Sequence, residues 1–268
     1  MIEIFHFEFM RNAFLAGIIL SIVLAVVSFF VVLKRYSFIG VGVAHSAFGG
    51  VALGSLIGIS PTLTALGFAV IVSNAIGYVG RRERLSTDTA IGIFFALAMA
   101  LGVIFIGLSD KYNTDLFGYL FGNILAITYT DIVVVGVLGT IVLLACYFFF
   151  KELLFVAFDS EVAFVSGMPV VFLDHFFLTL LAFAVVISIK IVGIVLVSAL
   201  LVIPGAAASQ VTDRYVPMIA ISIGVALIST IGGLVISYYA DLASGATIVT
   251  FASLIFFIMV GVGKLRKR

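Results

Sequence analysis

Charged side chains are scarce in this sequence: Asp, Glu, Lys and Arg make up only 10% of its 268 residues, against about a quarter in soluble domains. The formal net charge of +1 gives no strong basic or acidic field, so no nucleic-acid partner is expected. Hydrophobic residues supply 64% of the chain, and its mean hydropathy is +1.38. Because an apolar run of about 20 residues crosses a bilayer core, the sequence predicts an all-α integral membrane protein surrounded by membrane lipids.

Cysteine, tryptophan and the common catalytic motifs are nearly or wholly absent. The single cysteine, Cys146, lies in an apolar run and cannot form an internal disulfide, so it is expected to pack against its neighbours. The Gly-x-x-x-x-Gly-Lys-Ser/Thr phosphate loop is missing, which excludes ATP binding in that manner. The His-Glu-x-x-His and Gly-x-Ser-x-Gly motifs are also missing, which weakens protease and hydrolase interpretations. We therefore expect a chain that is not an enzyme, holds no permanent cofactor, and takes any transport energy from another chain or an ion gradient.

Apolar runs of membrane-spanning length follow one another with short turns between them, which leaves no room for a sizeable soluble domain. We predict a single transmembrane domain over 1–268, a bundle of about eight or nine helices. Two interpretations remain open for the segment 112–128: an extracellular helix or a re-entrant helix. The predicted spans are 12–33, 39–58, 62–80, 88–108, 130–150, 171–189, 192–211, 216–238 and 246–263.

Basic residues fall almost entirely in alternate gaps between these spans. Lys34, the 81–84 cluster, Lys151, Arg214 and the 264–268 tail share one side. By the positive-inside rule that side is cytoplasmic. The N-terminus is therefore expected outside and the C-terminus in the cytoplasm, in the cell (inner or plasma) membrane, and an odd number of spans meets this requirement.

Polar residues inside spans are costly and usually face a cavity or a partner. His45 stands out, because a neutral imidazole is a common ligand for zinc and other transition metals. The alternative for His45 is a hydrogen bond to a neighbouring backbone or hydroxyl group. Asn74, Asn123 and Gln210 are expected to form interhelical hydrogen bonds, whereas His175, near a span end, is expected at the surface.

The predicted cytoplasmic connection 151–170 contains a short apolar helix. Asp159 and Ser160 can cap its start, and Gly167, with Pro169 just after it, ends it. The helix is too short for a span and too apolar for a free loop. Two interpretations remain open: the helix docks into another protein, or it packs into the bundle.

Segments over nearly the whole chain carry a family resemblance. The most specific is Val-Gly-Ile-Val-Leu-Val-Ser-Ala-Leu-Leu-Val-Ile-Pro at 192–204. The others lie at 11–17, 34–40, 44–45, 88–93, 116–118, 159–163 with Gly167, 237–238 and 244–246. In this order and spacing they resemble the permease subunit of the zinc/manganese (metal-chelate type, ABC-3) family of ATP-binding-cassette importers, relatives of the vitamin B12 and iron-siderophore permeases.

The resemblance implies a homodimeric permease that imports a divalent transition metal ion, with zinc expected first and manganese or iron next. It implies two partners, a cytoplasmic ATP-binding-cassette ATPase and an extracytoplasmic metal-binding protein. The short helix at about 159–167 would be the coupling helix, and His45 would contact the ion in transit. The implied ATPase-coupling residues are Asp159, Glu161, Ala163 and Gly167.

One position departs from the family pattern. Many members carry Gly-Asp with the histidine of the second span four residues after the Asp, whereas here Val41 replaces that Asp and His45 is kept. A carboxylate suits Mn²⁺ better than Zn²⁺, so its loss favours zinc.

Two other classes of protein compete with the importer. A secondary transporter or channel working alone would usually show repeated broken helices and more intramembrane carboxylates for ion coupling, and the span interiors show almost none. An intramembrane enzyme would need a nucleophile and a base, and no such pair is recognisable.

Overall fold

A computed structural model describes residues 6–82, 85–109, 122 and 127–266. In these ranges the regular structure is helical throughout. The segment 112–128, left open between two kinds of helix, lies mostly outside the described residues. The helices are α1 Glu8–Leu33, α2 Ile39–Ile57, α3 Pro61–Arg82, α4 Thr87–Gly107, α5 Tyr129–Phe148, α6 Phe150–Phe158, α7 Ser160–Val165, α8 Val170–Leu200, α9 Ile203–Ser209, α10 Tyr215–Ala240 and α11 Ser244–Arg266.

The predicted bundle of about eight or nine spans is confirmed. Eight of the described helical segments are long and apolar enough to cross a membrane. Seven predicted spans match α1–α5, α10 and α11, each to within about one helical turn. The remaining two, 171–189 and 192–211, fall in a single apolar segment of 40 residues, Val170–Ser209.

The two ends of the bundle are distinguished by their contacts. At one end, Lys34 follows α1 and Arg81 lies in the last turn of α3, and both side chains contact Asp174 in the first turns of α8. We call this the basic end. At the opposite end, Asn12 near the start of α1 donates a hydrogen bond to the backbone oxygen of Ile127 at 3.0 Å, just before α5 begins.

The segment Val170–Ser209 runs from the basic end to the opposite end and back. Lys190 pairs with Asp131 in the first turn of α5, at the opposite end. Gly193 then has φ 76° and ψ 166°, a backbone conformation outside the helical region. Leu201 packs against Gly40 in the first turn of α2, back at the basic end. The described helices therefore make nine passes through the bundle, and α1 begins at the end opposite to that where α11 finishes.

Small residues let α2 approach its neighbours closely. A Cβ atom on Gly50 would lie 2.6 Å from the Cα of Ala65 and 2.7 Å from the backbone oxygen of Thr64. Both contacts are to the backbone of α3, so neither can move without separating the helices. This contact holds α2 in the interior of the bundle.

Replacing Gly50 with alanine is expected to destabilise the fold by about 1–3 kcal/mol, because α2 and α3 must move apart. The matched control is Gly67→Ala in α3, where a Cβ would meet no atom within 4 Å. A thiol-reactive dye that labels the buried Cys146 upon unfolding reports the thermal midpoint of both variants. A midpoint for Gly50→Ala equal to that of Gly67→Ala would contradict this packing.

Candidate functional site

His45 lies on α2, half-buried, with its ring against Phe95 of α4 at a centroid distance of 4.9 Å. Its Nδ1 is 2.9 Å from the backbone oxygen of Val41. Since a carbonyl oxygen only accepts, this bond places the proton on Nδ1 and leaves the lone pair of Nε2 as a possible metal ligand. The backbone hydrogen bond that was the alternative for His45 is thus present, and it orients the ring without occupying Nε2.

A small cavity of about 190 Å³ lies between α2 and α4. Val41 and Phe95, which both contact His45, form part of its lining, whereas His45 itself does not. Val41 lines this cavity and occupies the position where the family pattern predicts a carboxylate. The carboxylate that does line the cavity is that of Asp88. Asp88 is exposed, and the N-cap of α4 is Ser86, whose Oγ accepts a hydrogen bond from the backbone N–H of Thr89 at 3.2 Å. We call this the His45 groove. It is lined by Phe38, Val41, Gly42, Asp88, Ile91, Gly92 and Phe95.

The described part of one chain does not assemble a metal site by itself. Among these residues no group of three or more His, Cys, Asp or Glu side chains lies close enough together to hold an ion. A metal ion bound at His45 would therefore need ligands from beyond the described residues of this chain.

The short helix predicted at about 159–167 is observed as α7. Asp159 caps it: the carboxylate Oδ1 accepts hydrogen bonds from the backbone N–H groups of Glu161 and Val162, each at 3.0 Å. Gly167 follows the helix with φ +82°, a left-handed conformation that favours glycine. The cap and the terminator are those expected from the sequence.

The side chains of α7 divide between the bundle and solvent. Ala163 is fully buried in a small core with Val156, Val170 and Leu173. Large apolar side chains point the other way, and Phe164 is 70% and Val165 85% exposed. We call the exposed set the docking surface: it consists of Phe158, Val162, Phe164 and Val165. The helix thus both packs on the bundle and presents an apolar surface at the basic end.

An ion cluster of Lys34, Arg81 and Asp174 joins three helices beside α7. Asp174 accepts from Lys34 Nζ at 2.5 Å and also pairs with Arg81. The side chains of Lys34 and Asp174 are only 5% and 9% exposed. Burial, followed by the positive charge of Arg81, lowers the pKa of Lys34 to about 8. Asp174 is therefore the counter-charge that allows two cations to lie at this position.

A hydrogen-bond network extends the ion cluster along the contact between α3 and α8. Asn74 Oδ1 lies 2.8 Å from His175 Nδ1, and Asn74 Nδ2 donates to Thr179 Oγ1 at 3.1 Å. The expected interhelical role of Asn74 is confirmed. His175, expected at the surface, is instead half-buried between α3 and α8, where its ring pairs with Asn74. Gln210 instead bonds to Ala206 and Ser209 of its own segment. Asn123 lies outside the described residues.

The comparison with family models decides what kind of protein this is. The model of the ABC 3 transport family matches residues 6–263. The chain belongs to the ABC 3 transport family. The family expected from the resemblance is confirmed, and so is a membrane-embedded, all-helical fold.

Relatives of this ABC 3 family chain are named as metal transport proteins. It is 36% identical to the manganese transport system membrane protein MntC of Halalkalibacterium halodurans, over 95% of this chain and 87% of that protein. It is 33% identical to the high-affinity zinc uptake system membrane protein ZnuB of Haemophilus influenzae, over 93% of this chain and 96% of that protein. Among solved structures, PsaBC from Streptococcus pneumoniae in complex with Fab matches with a TM-score of 0.84 and 35% identity, over 94% of this chain and 91% of that one.

Proposed function

We propose that this chain is the membrane-spanning permease subunit of an importer of divalent transition metal ions, driven by a separate cytoplasmic ATPase. The family and the zinc and manganese named for its relatives support the cargo class. The observation that carries the coupling to an ATPase is α7, a capped helix with Phe164 and Val165 exposed at the basic end. Large exposed apolar patches of this kind mark protein interaction sites.

The basic end is the cytoplasmic one in this proposal, by the positive-inside rule. The N-terminus then lies outside and the C-terminus in the cytoplasm, because α1 begins and α11 finishes at opposite ends. The docking surface faces the cytoplasmic ATPase. An extracytoplasmic metal-binding protein delivers the ion to the opposite end.

Two copies of the chain form the ion path in this proposal. Each copy supplies one His45, and the two Nε2 atoms together give the ion one more nitrogen ligand than a single chain provides. Val41 leaves this part of the groove apolar, which suits Zn²⁺ with imidazole ligands better than Mn²⁺. Zinc is therefore the proposed cargo, ahead of manganese and iron.

The coupling residues act through their position on α7. Asp159 and Gly167 fix the ends of the helix, Glu161 lies exposed in its first turn, and the buried Ala163 anchors it to Leu173 of α8. Movement of the docked ATPase is transmitted from α7 to α8, and the ion cluster carries it to α1 and α3. ATP hydrolysis then shifts the population between inward- and outward-facing arrangements by differential contacts.

Replacing Phe164 with glutamate is expected to abolish co-purification of the ATPase, because a charge replaces an apolar side chain at the centre of the docking surface. The fold is unaffected, since Phe164 is 70% exposed. The matched control is Leu265→Glu, an exposed apolar residue on α11 at the same end. The measurement is the ATPase-to-permease ratio after affinity purification from detergent extracts.

Two results would contradict the proposal in different ways. Retention of the ATPase by Phe164→Glu at the control level would remove α7 as the docking site. If the unmodified chain retains no ATPase and transports metal alone in vesicles, a stand-alone secondary transporter or channel replaces the ATP-driven importer.

A further inference from the structure

A second, larger cavity opens on another side of the bundle. Its volume is about 860 Å³, within the range of about 300–1,000 Å³ typical of small-molecule sites. It lies between α1, α5, α6 and α10 and shares no residue with the His45 groove or the docking surface. We call it the lateral cavity. It is lined by Val26, Thr140, Leu143, Leu144, Cys146, Tyr147, Phe148, Phe150, Lys151, Glu152 and Ile219.

The lining of the lateral cavity changes from apolar to polar along the membrane normal. From Thr140 to Phe148 the wall on α5 extends about 12 Å, close to the depth of one leaflet's hydrocarbon. The hydroxyl of Thr140 donates to the backbone oxygen of Gly136 at 2.6 Å, so it requires no further partner. The groups that do require polar partners, Lys151 and Glu152, lie together at the basic end. This gradient matches that of a phospholipid, with its acyl chain inward and its headgroup at the interface.

The two charges at the mouth of the cavity have opposite sign. Lys151 is exposed and forms no ion pair among the described residues, so its ammonium group is available to a phosphate. Glu152 lines the cavity, and its Oε2 is buried without a hydrogen-bond donor in the described part of the chain. Because the terminal torsion of a glutamate is broad, either oxygen can turn to the cavity. A buried carboxylate oxygen without a donor is costly, so a cationic donor from a ligand would stabilise it.

We propose that the lateral cavity binds a phospholipid whose headgroup carries both a phosphate and a primary ammonium, a phosphatidylethanolamine. The phosphate lies against Lys151, the ammonium donates to the carboxylate of Glu152, and one acyl chain fills the space between α1, α5 and α10. An anionic lipid such as phosphatidylglycerol would satisfy Lys151 but would offer Glu152 only a neutral hydroxyl donor, which is weaker than a cationic ammonium. This site is independent of the metal and of the ATPase.

Native mass spectrometry of the delipidated full chain tests the proposal. The protein is titrated with phosphatidylethanolamine, phosphatidylcholine and phosphatidylglycerol of identical acyl chains. The unmodified chain is expected to retain one phosphatidylethanolamine, with a preference of roughly two- to five-fold over the other two lipids, as for an exposed ion pair. Glu152→Gln is expected to lose the preference over phosphatidylcholine, and Lys151→Gln to weaken binding of all three lipids, whereas Lys264→Gln, another exposed lysine at the same end, is expected to change nothing.

A cavity-filling variant tests the location of the site. Leu144→Trp is expected to remove the retained lipid, because the indole occupies the acyl-chain space. Its control is Ile258→Trp, an exposed position on α11 outside the lateral cavity. Equal lipid retention by the two tryptophan variants would overturn the location. Stronger retention of phosphatidylglycerol than of phosphatidylethanolamine would overturn the headgroup assignment.

Discussion

Replacing Asp174 with asparagine is expected to lower the free energy of unfolding by about 3–5 kcal/mol, because breaking a buried ion pair leaves an uncompensated buried charge. Here the loss affects two cations, Lys34 and Arg81, since Asp174 is the shared partner of both. The side chain of Lys34 is 5% exposed and cannot turn to solvent in place. The contact between α8, α1 and α3 at the basic end therefore depends on one carboxylate.

Equilibrium unfolding in a detergent titration, with labelling of Cys146 as the readout, measures this change. The matched control is Lys190→Gln at the opposite end, where the lysine of the pair with Asp131 is 53% exposed and its loss should cost about 1 kcal/mol at most. Adding Lys34→Met to Asp174→Asn is expected to recover part of the stability, since it removes one of the two unpaired cations. A loss of stability in Asp174→Asn no larger than that in Lys190→Gln would contradict the role of Asp174 as the shared counter-charge.

Replacing His45 with alanine is expected to reduce metal uptake by at least about tenfold, the lower bound typical of disturbed metal sites. The reason is that Nδ1 of His45 is held by the backbone oxygen of Val41, which leaves Nε2 as the nitrogen that can bind a metal ion. Removing the imidazole leaves Phe95 and Val41 as apolar walls, which offer no ligand to a desolvated ion. Stability is expected to change little, because the ring is only half-buried.

Uptake of radioactive zinc into vesicles containing the complete transporter measures this effect. His6→Ala is the control, since His6 is an exposed histidine before α1 and outside the described helices. Co-purification of the ATPase with His45→Ala is measured alongside, and it is expected to match the unmodified chain. Undiminished zinc uptake by His45→Ala would show that the histidine only packs against Phe95.

The membrane spans were predictable because the length and polarity of an apolar run are local properties of the chain. The helix α7 was predictable for the same reason: Asp159 and Gly167 act on backbone groups a few residues away. The boundary predicted between the spans 171–189 and 192–211 lies close to Gly193, where the chain reverses its direction through the bundle. Helical structure is present on both sides of that residue.

The contacts between distant residues were not predictable in the same way. Asp174 is separated from Lys34 by 140 residues and from Arg81 by 93, and no local pattern selects these partners. A weak signal existed, namely an acidic residue in the first turns of an apolar span on the side where basic residues collect. Likewise, no local pattern selects Asp131 as the partner of Lys190, from which it is separated by 59 residues and with which it pairs at 2.6 Å.

The central proposal for this permease is that it couples metal transfer to a separate ATPase. The most direct test is ATP hydrolysis by this chain co-purified with its ATPase in lipid, with the extracytoplasmic binding protein loaded in turn with Zn²⁺, Mn²⁺ or Fe²⁺. We predict that the zinc-loaded protein stimulates hydrolysis most and that Phe164→Glu removes the stimulation. Absence of any associated ATPase, with metal flux persisting in the chain alone, would contradict an ATP-driven importer.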